Sequence, residues 1–155
     1  MNNKPWKTVS ELLGARRGTI FSIAPGSTVL AALEQLAEHD IGALVVLENG
    51  RMIGILSERD CARKVELRGR AVKDTAVRDV MTRSVLYVMP SLTLDECMAL
   101  MKRERVRHLP VVQDSEVIGV VSARDILEDV AAEQAHSIRG LEWDRLVMTV
   151  NTGSY

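Results

Sequence analysis

The stretch Ser57-Glu58-Arg59-Asp60 and its near copy Ser122-Ala123-Arg124-Asp125 decide how this sequence of 155 residues is interpreted. Each follows a short apolar run that opens with a glycine, GIL at 54–56 and GVV at 119–121, and the two copies lie 65 residues apart. At the same offset, residues 20–62 align with residues 85–127 without a gap. An ungapped register of this length indicates a duplicated structural unit.

Each unit repeats the same order of local signals. A β-rich run opens it, at 19–23 and at 84–88, and a helical apolar pattern with a threonine in the N-cap position follows. Two further apolar runs are joined by Asn49-Gly50, a strong hairpin signal, and in the second unit by the weaker Asp114-Ser115. A last helix begins at the Ser-x-x-Asp. The predicted order is therefore β-α-β-β-α in each unit.

A single unit of this size has too little covered surface to be stable, since its three-stranded sheet would leave an apolar face open. Two units packed sheet to sheet would bury both faces, so the predicted fold class is α+β with pseudo-two-fold symmetry. VSELL at 9–13 resembles VRDVM at 77–81, which predicts a short lead-in helix before each unit, with extra residues at 14–18 in the first. The predicted division is a lead-in at 1–18, repeat 1 at 19–69, a linker with a lead-in helix at 70–83, repeat 2 at 84–130, and a C-terminal helix and tail at 131–155.

The composition excludes several classes of protein. Hydrophobic residues make up 46% of the chain and aromatic residues only 3%, which indicates a folded domain with an aliphatic core. The net charge of −1 gives no overall field that would attract nucleic acid, and the basic stretch at 102–107 lacks interleaved aromatic residues. No apolar run approaches the ~20 residues that span a bilayer. The two cysteines form no CxxC pair, so we expect reduced, buried thiols and a soluble, cytoplasmic protein.

The Ser-x-x-Asp motif has two interpretations at this point. It is a capping box, in which serine and aspartate satisfy each other's backbone amides at a helix start. However, Gly54 and Gly119 would weaken their strands unless something needs close approach to the backbone, and Arg59 and Arg124 are unfavourable at a helix N-terminus unless an anion binds. A hydroxyl, an arginine and a carboxylate at a helix start can hold a nucleotide, because the carboxylate accepts from ribose hydroxyls and the arginine binds phosphate.

GILSERD at 54–60 and GVVSARD at 119–125, together with RHLPVV at 107–112 and VRDVMT at 77–82, resemble the cystathionine-β-synthase (CBS) domain in its tandem form, the Bateman module. The resemblance extends from about Val9 to Val130. It implies a stand-alone regulatory or signalling module that binds an adenine nucleotide (AMP, ATP or an NAD-like compound) in the cleft of each repeat. It also implies a homodimer of such pairs and an unidentified protein partner.

The resemblance implies roles for particular residues. Asp60 and Asp125, assisted by Ser57 and Ser122, would bind ribose hydroxyls, and the starts of the first and second strands would contact the base and line the rest of the cleft. Arg59, Arg124 and His108 would contact phosphate, and an arginine of one repeat would also reach the nucleotide of the other across the pseudo-dyad. The full expected set is Thr19, Ile20, Ala43, Ser57, Arg59, Asp60, Ser84, Val85, Tyr87, His108, Leu109, Pro110, Ser122, Arg124 and Asp125.

The two expected sites are not equal, and we expect the second to bind phosphate better. His108 is interpreted either as a phosphate donor or as a half-buried polar residue at a strand start, and Tyr87 either as a residue that flanks the base or as a core tyrosine. The second site has Tyr87, Arg107, His108 and Pro110 where the first has Ser22, Gly42, Ala43 and Val45.

Two other function classes compete with nucleotide-dependent regulation. One is a scaffold for dimerisation or protein docking whose ligand pockets are vestigial. The other is an enzyme, which we do not expect because the sequence shows no nucleophile–base pair and no metal-ligand spacing. In relatives that combine CBS pairs with catalysis, the active site belongs to another domain. No catalytic cofactor or metal is therefore expected.

Overall fold

The computed structural model describes residues 6–137, and it confirms an α+β fold built from two similar units. The first unit and its flanks contain α1 (Val9–Leu13), β1 (Ser22–Ile23), α2 (Val29–His39), β2 (Ala43–Glu48), β3 (Arg51–Ser57) and α3 (Glu58–Lys64). The rest of the described chain contains α4 (Val77–Val80), α5 (Leu94–Glu104), β4 (His108–Gln113), β5 (Glu116–Ser122) and α6 (Ala123–Ser137). Short 3-10 turns lie at Gly14–Arg16 and Glu66–Arg68.

Both predicted hairpins form with equivalent registers. Ala43 pairs with Ser57 in the first unit and His108 pairs with Ser122 in the second, and each hairpin has a β-bulge at the equivalent position. Both turns place two consecutive residues in the left-handed region, at φ +50° and +75° for Asn49-Gly50 and +51° and +66° for Asp114-Ser115. This geometry matches the twist of two-residue hairpins, so the weaker turn sequence reaches the same result.

The first strand forms fully only in the first unit, so the prediction of a three-stranded sheet in both is wrong for the second. β1 pairs in parallel with β2, and the Val45 N–H donates to the Phe21 carbonyl at 3.2 Å. Pro110 stands where Val45 does and has no N–H, so it cannot make the equivalent bond. The second sheet is β4–β5, and its first strand is reduced to a single bridge from Val88 to Val111.

The lead-in helices are exchanged between the units. Val9 and Leu13 of α1 lie in the core of the second unit, although α1 precedes the first unit in sequence. Correspondingly, α4 precedes the second unit but contributes to the core of the first. The backbone follows the same pattern, since Ser10 N–H donates to the Pro90 carbonyl at 2.9 Å and Arg78 N–H donates to the Pro25 carbonyl at 3.0 Å. Each unit is therefore completed by a segment that belongs to the other in sequence.

The two strand glycines serve this exchange. A Cβ at Gly54 would lie 2.6 Å from Met81 Sδ and 3.0 Å from the Thr82 carbonyl oxygen, and a Cβ at Gly119 would lie 3.0 Å from the Leu13 methyl groups. The lead-in segments therefore occupy the space beside the two glycines. This corrects the inference that the glycines point to a bound ligand.

The remaining expectations concern the helices and the thiols. The predicted N-caps are confirmed: Thr28 Oγ1 accepts from the Ala31 N–H, and Thr93 donates its N–H and hydroxyl to the Glu96 carboxylate. Cys61 and Cys97 are free and buried, and burial raises the pKa of each thiol to about 11. The start of the C-terminal helix predicted at 131–155 is continuous with α6, and the rest of that range, 138–155, lies outside the described residues. Among the helices of residues 6–137, none combines the length and apolar character that crossing a bilayer requires.

Candidate functional site

Both Ser-x-x-Asp motifs are capping boxes, so this interpretation is confirmed. In the first unit the Asp60 N–H donates to Ser57 Oγ at 3.1 Å and the Ser57 N–H donates to Asp60 Oδ2 at 3.0 Å. In the second unit the corresponding Ser122–Asp125 distances are 3.0 Å and 2.9 Å. The backbone bonds of the cap use only Oδ2 of each carboxylate, so Oδ1 can make other contacts.

Removing either cap should cost stability. Ser57→Ala and Ser122→Ala are each expected to lower the free energy of unfolding by about 1 kcal/mol, because the third amide of a part-buried helix start loses its acceptor. Urea denaturation measures this, with Ser91→Ala in an exposed turn as the control. A loss no larger than that of the control would show that the serines do not hold the helix starts.

A cavity of about 570 Å³ opens beside the second motif. This volume is within the range of small-molecule sites. Residues of both units form its walls, so the cavity lies between the units and not within one of them. The lining residues are Leu13, Arg16, Thr19, Phe21, His39, Asp40, Ile41, Gly42, Ala43, Glu58, Arg107, His108, Val120, Ser122, Ala123, Arg124, Asp125 and Glu128.

The cavity brings together only part of the expected set. The predicted residues that line it are Thr19, Ala43, His108, Ser122, Arg124 and Asp125. Those that do not line it are Ile20, Ser57, Arg59, Asp60, Ser84, Val85, Tyr87, Leu109 and Pro110. The side chains of Leu109 and Pro110 are buried, whereas Tyr87 is 55% exposed, so the interpretation of Tyr87 as a core tyrosine is wrong.

The cavity also groups the residues differently from the expected arrangement, in which each repeat would contain its own site. Thr19 shares the cavity with Asp125 of the other unit and not with Asp60 of its own. The reason lies in the backbone, since the Gly18 N–H donates to the Ile118 carbonyl on β5 at 2.8 Å. The segment between α1 and β1 is therefore held on the second unit, so Thr19 lies beside that unit.

Sequence reasoning missed several lining residues, and one of them had a signal. Arg16 lies in the 3-10 turn formed by the extra residues between α1 and β1, and its Nη1 is 3.6 Å from Asp125 Oδ1. The insertion was visible in the sequence, but its position on the other unit was not. Phe21 and His39 had no comparable signal. Their rings stack at a centroid distance of 4.3 Å and form part of the cavity wall.

Each of the two motif arginines contacts the other unit. Arg124 Nη2 lies 3.0 Å from Asp40 Oδ2, and its Nε lies 3.0 Å from Glu128 Oε1. The hydrogen bond from Arg124 lowers the pKa of Asp40. At the equivalent place Arg59 donates to the Arg105 carbonyl at 3.0 Å. Asp40 and Arg105 end α2 and α5 in the left-handed conformation, so each arginine reaches across to the helix end of the other unit.

His108 connects the units at the cavity wall. It is half-buried at the start of β4, and Gly42 leaves it space, since a Cβ there would lie 2.8 Å from His108 Nε2. Burial lowers the pKa of His108, so the ring is neutral at pH 7 and can donate from one nitrogen and accept at the other.

The cavity can hold a ligand that is part apolar, part hydroxylated and part anionic. Apolar wall residues include Leu13, Phe21, Ile41 and Val120. Asp125 Oδ1 offers an acceptor, and Arg107 has no ion pair within residues 6–137. In that same part of the chain, no cluster of three or more His, Cys, Asp or Glu side chains could hold a metal ion.

Comparison with known proteins agrees with this architecture. The mitochondrial CBS domain-containing protein CBSX3 of Arabidopsis thaliana is 37% identical over 119 residues, which are 74% of this chain and 58% of that protein. This chain thus spans a little over half of the plant relative's length. A CBS-domain protein of Burkholderia ambifaria, named for signal transduction, is 42% identical with a TM-score of 0.79, and the match covers 83% of this chain and 96% of that one.

A more distant structure shares the fold alone. The CBS domain pair of protein MJ0100, solved with 5′-methylthioadenosine and S-adenosyl-L-methionine, is 22% identical with a TM-score of 0.71, and the match covers 83% of this chain and 99% of that one. The family model of the CBS domain matches residues 9–67 and 77–132. The duplicated unit, its paired capping boxes and these matches lead to one conclusion: the chain belongs to the CBS-domain family and carries two CBS domains.

Proposed function

We propose that this protein is a regulatory CBS pair that binds an adenine nucleotide in the cavity at Asp125 and transmits its occupancy to a partner protein. The observation that supports this most is the composition of the cavity. Asp125 and Ser122 line it together with three arginines, Arg16, Arg107 and Arg124, and with apolar residues that include Leu13, Phe21, Ile41 and Val120. The role is regulatory and not catalytic in this proposal.

Each part of the nucleotide would contact a different set of cavity residues. The adenine would lie against the apolar wall near Phe21 and Thr19, and the ribose hydroxyls would donate to Asp125 Oδ1. Phosphate would bind Arg107 and Arg16, since Arg124 is already paired with two carboxylates. The CBS domain pair of protein MJ0100 binds two adenosine compounds. This supports the class of ligand but does not identify the particular nucleotide. AMP, ATP and NAD share the adenosine part.

Occupancy would be transmitted through the relation between the units. The cavity walls come from both CBS domains, so a bound nucleotide would contact both and bias their mutual position. A phosphate bound by Arg107 and Arg16 would bring negative charge into the cavity that also contains the Arg124–Asp40 ion pair between the units. In this proposal the change in the relative position of the units alters the binding of the second copy in the homodimer or of the regulated partner.

The test is calorimetric titration of protein freed of carried-over ligand with AMP, ATP and NAD. Asp125→Asn should weaken binding by about 10- to 100-fold, because it removes a charged acceptor for the ribose while an amide oxygen remains for the cap. The matched control is Asp60→Asn, the same change in the same motif of the other unit, which should leave the affinity within about twofold. Absence of saturable binding, or an equal loss in both variants, would contradict the proposal.

A ligand-independent scaffold is the second candidate, and one observation favours it. Both Ser-x-x-Asp motifs are satisfied within the protein as capping boxes, so nothing in them requires a ligand. In addition, Leu86, Tyr87 and Met89 are exposed beside the shortened first strand of the second unit. This candidate predicts that Asp125→Asn leaves self-association and partner binding unchanged.

A further inference from the structure

We propose that Lys64 closes the nucleotide site at Asp60, so that each chain binds one adenine nucleotide and not two. The inference takes its ligand class from the proposed function above, but it concerns a different residue and a different observable, the stoichiometry. It explains how two nearly identical motifs in one chain come to have different roles.

The Lys64 ammonium group is held by three acceptors. Its Nζ lies 2.8 Å from Asp60 Oδ1, 3.0 Å from the Val80 carbonyl oxygen and 3.3 Å from Thr82 Oγ1. An ammonium group has three donors, so all of them are used. The Asp60–Lys64 spacing of i,i+4 with the acid first is also the favourable order on a helix. Lys64 is thus fixed on the carboxylate by α3, α4 and the segment after α4.

The Asp60 carboxylate has little capacity left for a ribose. Its Oδ2 accepts from the Ser57 N–H and hydroxyl at 3.0 Å each, and its Oδ1 accepts from Lys64 and from the Thr82 hydroxyl at 3.3 Å. A ribose diol needs free lone pairs on the carboxylate, so it would have to displace both of these donors from Oδ1. The Asp60 side chain is also only 13% exposed, against 23% for Asp125.

Neither the lysine nor the threonine that donates to Asp60 Oδ1 has an equivalent at Asp125. The residue equivalent to Lys64 is Asp129, a carboxylate held by Lys7 at 2.9 Å. In the alignment of VSELL (9–13) with VRDVM (77–81), the residue equivalent to Thr82 is Gly14, which has no side chain to donate. Within residues 6–137, the one contact of Asp125 Oδ1 with a charged donor is Arg16 Nη1, at 3.6 Å. The same capping motif is therefore closed in one unit by a lysine and left accessible in the other.

The experiment is a calorimetric titration with AMP of the wild type and Lys64→Met, which keeps the alkyl stem and removes the ammonium group. The wild type should bind one AMP per chain, and Lys64→Met should bind two, the new site gaining at least about tenfold in affinity. Adding Asp60→Asn to Lys64→Met should return the stoichiometry to one. Lys102→Met on the exposed face of α5 is the control, with one site expected.

Thermal melting shows whether each variant is folded. If Lys64→Met does not fold, Thr82→Val replaces it, because this variant removes a hydroxyl from the same cluster.

The outcomes separate this inference from the proposed function. Two AMP per wild-type chain, or one per chain in both the wild type and the folded lysine variant, would overturn the role of Lys64 while leaving nucleotide binding intact. No binding to the wild type but one site in Lys64→Met that Asp60→Asn abolishes would support the lysine and overturn the proposal at Asp125. No binding to any variant would overturn both.

Discussion

Replacing Leu13 with alanine is expected to lower the free energy of unfolding by about 3 kcal/mol, and to weaken the second CBS domain before the first. Leu13 is only 3% exposed, and it lies in the core cluster that contains Leu109, Val121 and Ile126. Truncating it leaves a cavity in that core and removes the side chain that fills the space above Gly119. Urea denaturation gives the total loss.

Native-state hydrogen exchange locates the loss within the protein. The amides of β4 and β5 should lose protection in Leu13→Ala, while those of β2 and β3 should be less affected. Leu30→Ala is a matched control on a helix, because Leu30 is 39% exposed and its truncation should cost much less. Earlier loss of protection in β2 and β3 would show that α1 belongs to the unit that follows it in sequence.

Gly54→Val should be similarly severe, at about 3 kcal/mol, because the added side chain has no space. Its Cβ would lie 2.6 Å from Met81 Sδ and 3.0 Å from the Thr82 carbonyl oxygen. The sulfur belongs to a flexible side chain and can move. The carbonyl cannot move freely, because it accepts from the Ile55 N–H at 3.0 Å while the Thr82 N–H donates to the Ile55 carbonyl at 2.9 Å. The variant must therefore strain or break this pair of backbone bonds.

A double-mutant cycle separates the two contacts. Gly54→Ala should be less costly in a Met81→Ala background than in the wild type, since the shorter side chain removes the contact with sulfur. A residual cost should remain from the Thr82 carbonyl. If Gly54→Val denatured at the wild-type urea concentration, the segment after α4 would not be held against β3 as described.

The sequence predicted the local structure well because the signals for it are local. The Asn49-Gly50 turn, the threonine N-caps and the Ser-x-x-Asp capping boxes each depend on a few neighbouring residues, and all are present. Even the shortened strand of the second unit had a visible cause in Pro110, a residue without a donor at a ladder position.

The candidate site was predicted only in part. Asp125, Ser122 and Arg124 belong to a motif of adjacent residues, so the sequence identified them together. Phe21, His39 and Asp40 enter the cavity because the other unit is packed against theirs, and no spacing along the chain encodes that contact. Thr19 lies beside Asp125 for a similar reason, because the segment that carries it is bonded to β5 of the other unit.

By itself the sequence determined the duplication, the order of elements, the capping motif and the family. Each of these depends on the repeat period, on the turn residues or on the spacing of residues close together in the chain. Only the tertiary structure decided which core receives α1 and α4, and hence that Thr19 and Arg16 lie beside Asp125. A short amphipathic helix carries the same apolar face toward either core. The choice between them is made by long-range packing against Gly54 and Gly119 and by backbone bonds to the prolines of the other unit.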